Sequence, residues 1–343
     1  MSFSVAAKLI AWQKVHGRHD LPWQGMRDPY RIWVSEIMLQ QTQVTTVIPY
    51  YLRFLSRFPD VAALAGAPLD EVLRLWSGLG YYSRARNLHR AAGAIVEGGG
   101  DFPRSFEDVA ALPGVGRSTA AAICVFAFGQ RHAILDGNVK RVLARLRGVK
   151  GHAGERKVAD RLWQEAERLL PRSNLEAHTQ GLMDLGAMVC TRTKPRCTAC
   201  PVHGNCVAFK RGWVGELPAP RPRKRIPHKR TVMLALVRAG EVLLEKRPPS
   251  GIWGGLWCLP EVARKTDLES SCLKRFGAHV VEVERLPTIA HGFTHFKLDI
   301  HPLRLRVSAL TPQAAEPGVI WLSLEEAREA AIPAPVRRIL AGL

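Results

Sequence analysis

Two carboxylates stand in settings suited to opposite halves of acid–base work. Glu36 lies in Trp33-Val34-Ser35-Glu36-Ile37-Met38-Leu39-Gln40-Gln41-Thr42, an apolar stretch of helical character with a single charge. Burial there disfavours the ionised form and raises the pKa towards that of a general acid at neutral pH. An exposed glutamate on the wet face of an amphipathic helix is an equally good reading of this window. Asp136 follows Ile134-Leu135 and precedes Gly137-Asn138, where a new helix begins. An aspartate at such a junction caps backbone N–H groups, which favours its charged form. One carboxyl kept as an acid and one held ionised is the division of labour that cleavage of a glycosidic bond requires. The plain reading of Asp136 is a helix cap, and spacing alone does not bring it beside Glu36.

Four of the seven cysteines form Cys190-x6-Cys197-x2-Cys200-x5-Cys206. A secreted disulfide framework spreads its cysteines along the chain, so a reducing compartment and a thiolate-ligated metal fit better. Structural zinc and a cubane iron–sulfur cluster both remain open. Zinc sites usually pair two C-x2-C knuckles, and only one is present here. In Leu112-Pro113-Gly114-Val115-Gly116-Arg117-Ser118-Thr119, two close glycines allow a tight hairpin before an alanine-rich helix. The first N–H groups of that helix are suited to a phosphate, so the hairpin reads as a backbone clamp on DNA. Tyr81 and Tyr82 sit beside Gly80 and Arg84, where aromatic rings either wedge between bases or pack in a core.

The elements that position these groups fall into two patterns. Up to about residue 208 the periodicity is helical: Asp28-Pro29 opens a helix through Trp33 and Ile37, and Val158, Leu162, Ala166 and Leu169 share one face of another that Pro171 stops. Residues 209–230 are rich in Lys, Arg and Pro and read as a basic linker or extended arm. From Thr231 onward, runs such as TVMLALV, EVLLEKR and FKLDIHPLRLRV read as strands, with a helix from Leu324 to Ala331. The expected organisation is an all-α domain over 1–208, a linker over 209–230 and an α+β domain over 231–343.

Forty-nine basic residues against thirty acidic give a formal +19, which suits a polyanionic partner. A composition that is 47% hydrophobic excludes general disorder. No run of about 18 apolar residues spans a membrane, and the amino terminus lacks a signal-peptide pattern.

The cysteine spacing, the Gly-rich hairpin and the segment Gln180-Gly-Leu-Met-Asp-Leu-Gly-Ala-Met-Val-Cys190 resemble the endonuclease III (helix-hairpin-helix) superfamily of DNA glycosylases, and within it the adenine glycosylase (MutY) branch. The resemblance implies one structural [4Fe–4S] cluster on Cys190, Cys197, Cys200 and Cys206. It implies that Glu36 protonates adenine at N7 and then helps activate the nucleophile, that Asp136 stabilises the sugar cation, and that Asn138 supports the site. Gly114, Gly116 and Ser118 are then expected at the DNA backbone, Tyr81 stacked at the lesion and Gln41 near the orphaned base. Relatives with lyase activity carry a Schiff-base lysine where this chain has Ser118, so a monofunctional enzyme is expected.

The carboxyl-terminal domain resembles the MutT-like (Nudix) fold. Its glycine-led stretch, Gly254-Gly255-Leu256-Trp257-Cys258-Leu259-Pro260-Glu261, is not followed by the Arg-Glu-x-x-Glu-Glu core that would hold magnesium, so no nucleotide hydrolysis is expected. His291-Gly292-Phe293-Thr294-His295-Phe296 resembles the loop with which MutY enzymes detect 8-oxoguanine, with Thr294 where serine is usual. The expected function is excision of adenine from duplex DNA opposite 8-oxoguanine, and more weakly opposite guanine. The enzyme is expected to be a monomer in the bacterial cytosol or nucleoid, away from membranes. The alternatives are an endonuclease III-like glycosylase/lyase for oxidised pyrimidines and a non-catalytic structure-specific DNA-binding protein.

Overall fold

The computed structural model describes residues 4–221, 226–263, 265–312 and 317–343. It divides into two compact units, Met1–Gly66 with Asn87–Arg223, and Ala67–Arg86 with Lys224–Leu343. The architecture is thus two-domain, with a helical amino-terminal part and a mixed α+β carboxyl-terminal part. Among the described residues, no helix is long and apolar enough to cross a membrane.

The helices of the amino-terminal part run α1 Val5–His16, α2 Pro29–Leu39, α3 Val44–Arg57, α4 Val61–Ala65, α5 Leu69–Trp76, α6 Ser83–Glu97, α7 Phe106–Ala111, α8 Arg117–Phe128, α9 Gly137–Arg147, α10 Arg156–Leu169, α11 Leu175–Asp184 and α12 Val207–Lys210. Their starts follow local chemistry. Asp28 accepts the Arg31 N–H ahead of Pro29 in α2, and Ser105 accepts the Asp108 N–H ahead of α7. The core of the first unit gathers around α9, whose Val139, Val142, Leu143 and Leu146 pack with Leu162 and Ala166 of α10 and Leu182 of α11. Cys190, Cys200 and Cys206 lie against this same cluster, so the cysteine loop is built onto the helix that Asp136 opens.

In the second unit the strands and helices are β1 His228–Arg238, β2 Glu241–Lys246, β3 Trp257–Cys258, β4 Glu261–Val262, α13 Leu268–Phe276, β5 Ala278–Arg285, β6 Ile289–Gly292, β7 Lys297–Leu310, β8 Val319–Ser323, α14 Leu324–Glu329 and α15 Ala334–Leu340. One sheet runs β3-β2-β1-β7-β5, with β4 on β1, β6 on β7 and β8 on β2. The β1–β7 pair is parallel, setting His228 opposite Lys297, and the other pairs are antiparallel. Leu234, Leu236, Leu243, Leu305 and Val307 form its core with Cys272 of α13.

Two sequence expectations change. The basic stretch 209–230 is not one free arm. The Leu217 carbonyl accepts the Arg145 Nε–H at 2.8 Å, the Ala219 N–H donates to Gly151, and His228 already belongs to β1. Residues 222–225 of that stretch lie outside the described residues. Residues 67–86, which the periodicity assigns to the helical domain, belong to the second unit. Asp70 takes the Lys246 ammonium and the Trp257 Nε1–H, and the Ser77 hydroxyl donates to the Ile332 carbonyl at 2.8 Å. Polar pairing of that kind is invisible to a helical period.

Candidate active site

Helix α2 buries Trp33, Val34, Ser35, Ile37 and Met38, while Glu36 between them is partly covered and borders a cavity. Its carboxyl lines a cavity of about 410 Å³ with Leu21, Trp23, Met26, Phe126 and Gln180. That is ample space for one flat heterocycle. Burial, followed by the charge of Asp136, pushes the Glu36 pKa up to about 8. The carboxyl is therefore mostly protonated at neutral pH. Asp136 caps α9, its Oδ1 accepting the Val139 N–H at 2.7 Å.

The expectation that capping keeps Asp136 in the low carboxylate range needs correction. Burial pushes it up, and the Val139 and Asn138 amides together with Arg141 and Lys140 only partly pull it back.

The cavity rests on a buried polar group that sequence reasoning missed. Asp184, with no exposed surface, accepts the Arg18 N–H at 2.9 Å, the Arg18 Nε–H at 2.7 Å and the Gln180 Nε2–H at 2.8 Å. Arg18 and Gln180 both line the cavity, so Asp184 fixes part of its wall from behind. Arg18 and Asp184 are remote in sequence, and no local pattern pairs them.

Asn138 does not stand alone either. Its Oδ1 accepts an Arg141 N–H at 2.8 Å, and Arg141 also donates to the Gly186 carbonyl at 2.8 Å and to the Cys190 carbonyl at 2.8 Å. Gly186 is required here, because a Cβ would lie 2.6 Å from the Cβ of Asn138. Arg145, one turn further along α9, donates to the Cys190 sulfur at 3.4 Å and to the Thr191 carbonyl at 2.7 Å. Between α11 and Cys190 the chain makes one π-helical turn, closed by the Cys190 N–H on Leu185. Such turns recur at functional sites.

Cys190, Cys197, Cys200 and Cys206 line one small cavity, with Arg145 at its wall. Burial and their mutual charges push Cys197, Cys200 and Cys206 above the ordinary thiol value. Among the described residues no three cysteine, histidine or carboxylate side chains close on a single metal ion. The donor set is nonetheless four sulfurs around one hollow beside an arginine, which fits a group that binds through several thiolates.

The hairpin is asymmetric. Gly114 has φ +81° and its Cβ would meet the Asn87 Cβ at 2.8 Å, so glycine is needed there on both counts. Gly116 has an ordinary φ of −95°, and its Cβ would point into open space, so the expectation that both glycines serve special torsions holds for the first alone. Gly116 begins the twelve-residue α8 with no side-chain cap, which leaves that terminus suited to an anion. The Ser118 hydroxyl turns inward and accepts the Leu135 N–H at 2.9 Å, next to Asp136, rather than facing outward. Gln40, which the sequence did not single out, reaches Gly114 and Thr119 at 3.4 Å and so links α2 to the hairpin. Gln41 is exposed with φ +58°.

In the second unit Tyr81 is 42% exposed and also left-handed, at φ +49°. Arg84 is buried beneath it, 5.5 Å from its ring centre, and donates to the carbonyls of Leu79 and Gly80. Phe293 stacks on buried Phe296 at 4.4 Å, while Thr294 and His295 are exposed at the turn closed by the Phe293 N–H on Phe296. Tyr81, Phe293, Thr294 and His295 line one hollow of about 630 Å³. Near the sheet, α13 carries Glu269 in its first turn, and Glu245 accepts two N–H bonds from Arg275 at 2.9 Å.

Comparison with known proteins agrees with a helical amino-terminal part and a mixed carboxyl-terminal part, with the first family match running through residues 67–86 as well. Residues 34–168 match the family model described as HhH-GPD superfamily base excision DNA repair protein, and residues 231–342 match the NUDIX domain model. The adenine DNA glycosylase of Buchnera aphidicola subsp. Baizongia pistaciae is 36% identical, over 97% of this chain and 94% of its own. The adenine DNA glycosylase of Mus musculus is 35% identical, over 97% of this chain and 76% of its own. Among solved structures, a thermostable thymine-DNA glycosylase is similar with a TM-score of 0.53 and 29% identity, over 60% of this chain and 95% of that one. Two relatives that span nearly all of the chain, on a helical frame whose cavity-lining glutamic acid has a raised pKa and senses the charge of a capping aspartate, place it in the adenine DNA glycosylase family.

Proposed function

We propose that this enzyme removes adenine from duplex DNA where it is mispaired with 8-oxoguanine, and more weakly where it is mispaired with guanine, as the first step of base excision repair. The observation that carries the reading is Glu36, a carboxylic acid with its pKa near 8, lining a cavity and coupled electrically to Asp136. The target base leaves the stack and enters the cavity, because its glycosidic bond is shielded in the duplex. Glu36 gives its proton to adenine N7, which makes the base a neutral leaving group. Asp136, ionised and held by the α9 amides, faces the positive charge that develops on the sugar. Glu36, now a carboxylate, assists the nucleophile, and an abasic site remains. Ser118 is engaged with Leu135 and carries no amine, so the lyase reading has no imine-forming group at that position.

The uncapped start of α8 and the Gly114 turn hold a phosphate of the duplex, with the high positive charge supplying long-range attraction. Tyr81 and Gln41 act at the opened base pair, and Phe293, Thr294 and His295 read the lesion. Cys190, Cys197, Cys200 and Cys206 hold one [4Fe–4S] cluster, a group that crosslinks the loop when bound and braces the segment Arg141 and Arg145 grip. Iron and sulfide analysis checks this, with about four irons per chain expected from the cubane formula; stoichiometric zinc without sulfide refutes it.

The test of the chemistry is single-turnover adenine release from an 8-oxoguanine:adenine duplex. Glu36→Gln is expected to bind the duplex near the parent affinity and release almost no adenine. Substantial turnover by that variant removes the assignment.

A further inference from the structure

The stretch 251–255 leads into the glycine-led segment that begins at Gly254, which is not followed by magnesium-holding carboxylates here. Trp253 is 7% exposed, yet its backbone has φ +54°, a conformation that bulky residues rarely hold. The turn around it is fixed on several sides. The Leu256 N–H bonds to the Trp253 carbonyl at 3.0 Å, and the Gly255 N–H bonds to Pro248 at 3.0 Å. A Cβ on Gly254 would lie 2.6 Å from the Pro249 oxygen, so this backbone presses directly on its neighbour. Arg86 donates to the Gly254 carbonyl at 2.5 Å.

Strain tolerated at a buried, over-determined residue points to a job for its side chain. The Trp253 ring meets His291 at 5.8 Å and Phe293 at 5.5 Å between centres, and His291 in turn meets Phe293 edge-on at 4.7 Å. Phe293 thus packs against both Phe296 and Trp253. The exposed Thr294 and His295 follow directly from this packed ring. Arg86, five residues beyond Tyr81, grips the same turn, and Tyr81 and Phe293 line the same hollow.

We infer that Trp253 is a positioning residue for lesion recognition: the strained turn around it serves as the seat that fixes Phe293, and with it Thr294 and His295, at the angle needed to read the base opposite adenine. The inference rests on the reading of residues 293–295 as the lesion-sensing loop. A preorganised loop loses little freedom on binding, and a loosened one spends part of its contact energy on ordering. The effect therefore falls on discrimination, where the loop acts, more than on base excision itself.

The experiment uses full-length Trp253→Leu, Trp253→Phe, Phe293→Ala and the Trp253→Leu/Phe293→Ala double variant. It reads the ratio of single-turnover adenine-release rates on 8-oxoguanine:adenine and guanine:adenine duplexes. Trp253→Leu is expected to lower the ratio about tenfold, the size of effect one well-placed aromatic contact has. The guanine:adenine rate falls much less. Trp253→Phe, which keeps a ring in place, lowers the ratio about threefold, and the double variant matches Phe293→Ala alone. A normal ratio in whichever Trp253 variants fold, with a lowered ratio in Phe293→Ala, overturns the role of Trp253 and leaves the lesion-loop reading standing. An equal fall on both duplexes also overturns it, since that marks general loss of structure. A normal ratio in Phe293→Ala overturns the lesion-loop reading itself, and the inference with it.

Discussion

Replacing Glu36 with glutamine is expected to make the protein more stable, and increasingly so as the pH rises. Burial and the Asp136 charge move the Glu36 pKa from an ordinary 4.5 to about 8. The folded state therefore holds this proton more tightly than the unfolded chain. Whatever stability the protonated acid lends is fully present below the unfolded value near 4.5 and is lost as the pH rises through the folded value near 8. Each pH unit well inside that interval removes about 1.4 kcal/mol and less near its ends, so the loss between pH 5 and pH 8 amounts to roughly 3.5 kcal/mol. Glutamine has no proton to lose and escapes it. Urea unfolding of parent and Glu36→Gln, followed by circular dichroism at pH 5 and pH 8, measures the difference directly. The gap between the two proteins should widen by about 3.5 kcal/mol from the lower to the higher pH. A gap that stays constant, or narrows, refutes a buried, proton-holding Glu36, whatever the activity of the variant.

The rate of adenine release should be governed by the same proton, falling about tenfold per pH unit once the pH exceeds 8, and a rate flat to pH 9.5 contradicts an acid of that pKa. Arg141→Met removes the donor shared by Asn138, Gly186 and Cys190. Charged hydrogen bonds of this kind are worth about 1.5–3 kcal/mol each, so both stability and adenine release should suffer, with an Asn138→Ala/Arg141→Met pair losing less than the sum of the single changes. Gly114→Ala, which clashes with Asn87, should cost about 1–3 kcal/mol of stability. Gly116→Ala has room for its methyl and should weaken DNA binding with little change in melting temperature. Equal melting losses in both variants would show that the hairpin geometry has been misjudged.

Most of the frame was legible because it depends on neighbours in sequence. Asp28 and Asp136 both cap the helices that follow them, since a short acceptor before a periodic stretch has few other uses. The switch from helical to strand periodicity near Thr231 is equally local. What escaped was long-range or conformational. Asp184 depends on Arg18 from the other end of the first unit, and Asn138 depends on Arg141, Gly186 and Cys190 together. Left-handed backbone at Gln41, Tyr81 and Trp253 cannot be inferred from glutamine or aromatic residues, which normally avoid it. Asp136 illustrates the difference: its cap was readable, but the burial that pushes its pKa up against the cap was not.

The membership of residues 67–86 in the second unit bears on whether the two halves of this enzyme are separable parts. A chain cut near residue 230 does not release an intact module from an intact remainder. The remainder keeps Asp70, Ser77 and Arg86 but has lost Lys246, Ile332 and Gly254, the groups they hold. Expressed alone, residues 231–343 in turn lack the helix and tyrosine-bearing loop that the sheet was built to receive. A change that adapts one side of this seam has to be matched on the other, so the two halves evolve as a pair and are poor material for domain swapping between distant relatives. Grafting a second domain from another glycosylase should succeed only when its own version of residues 67–86 travels with it.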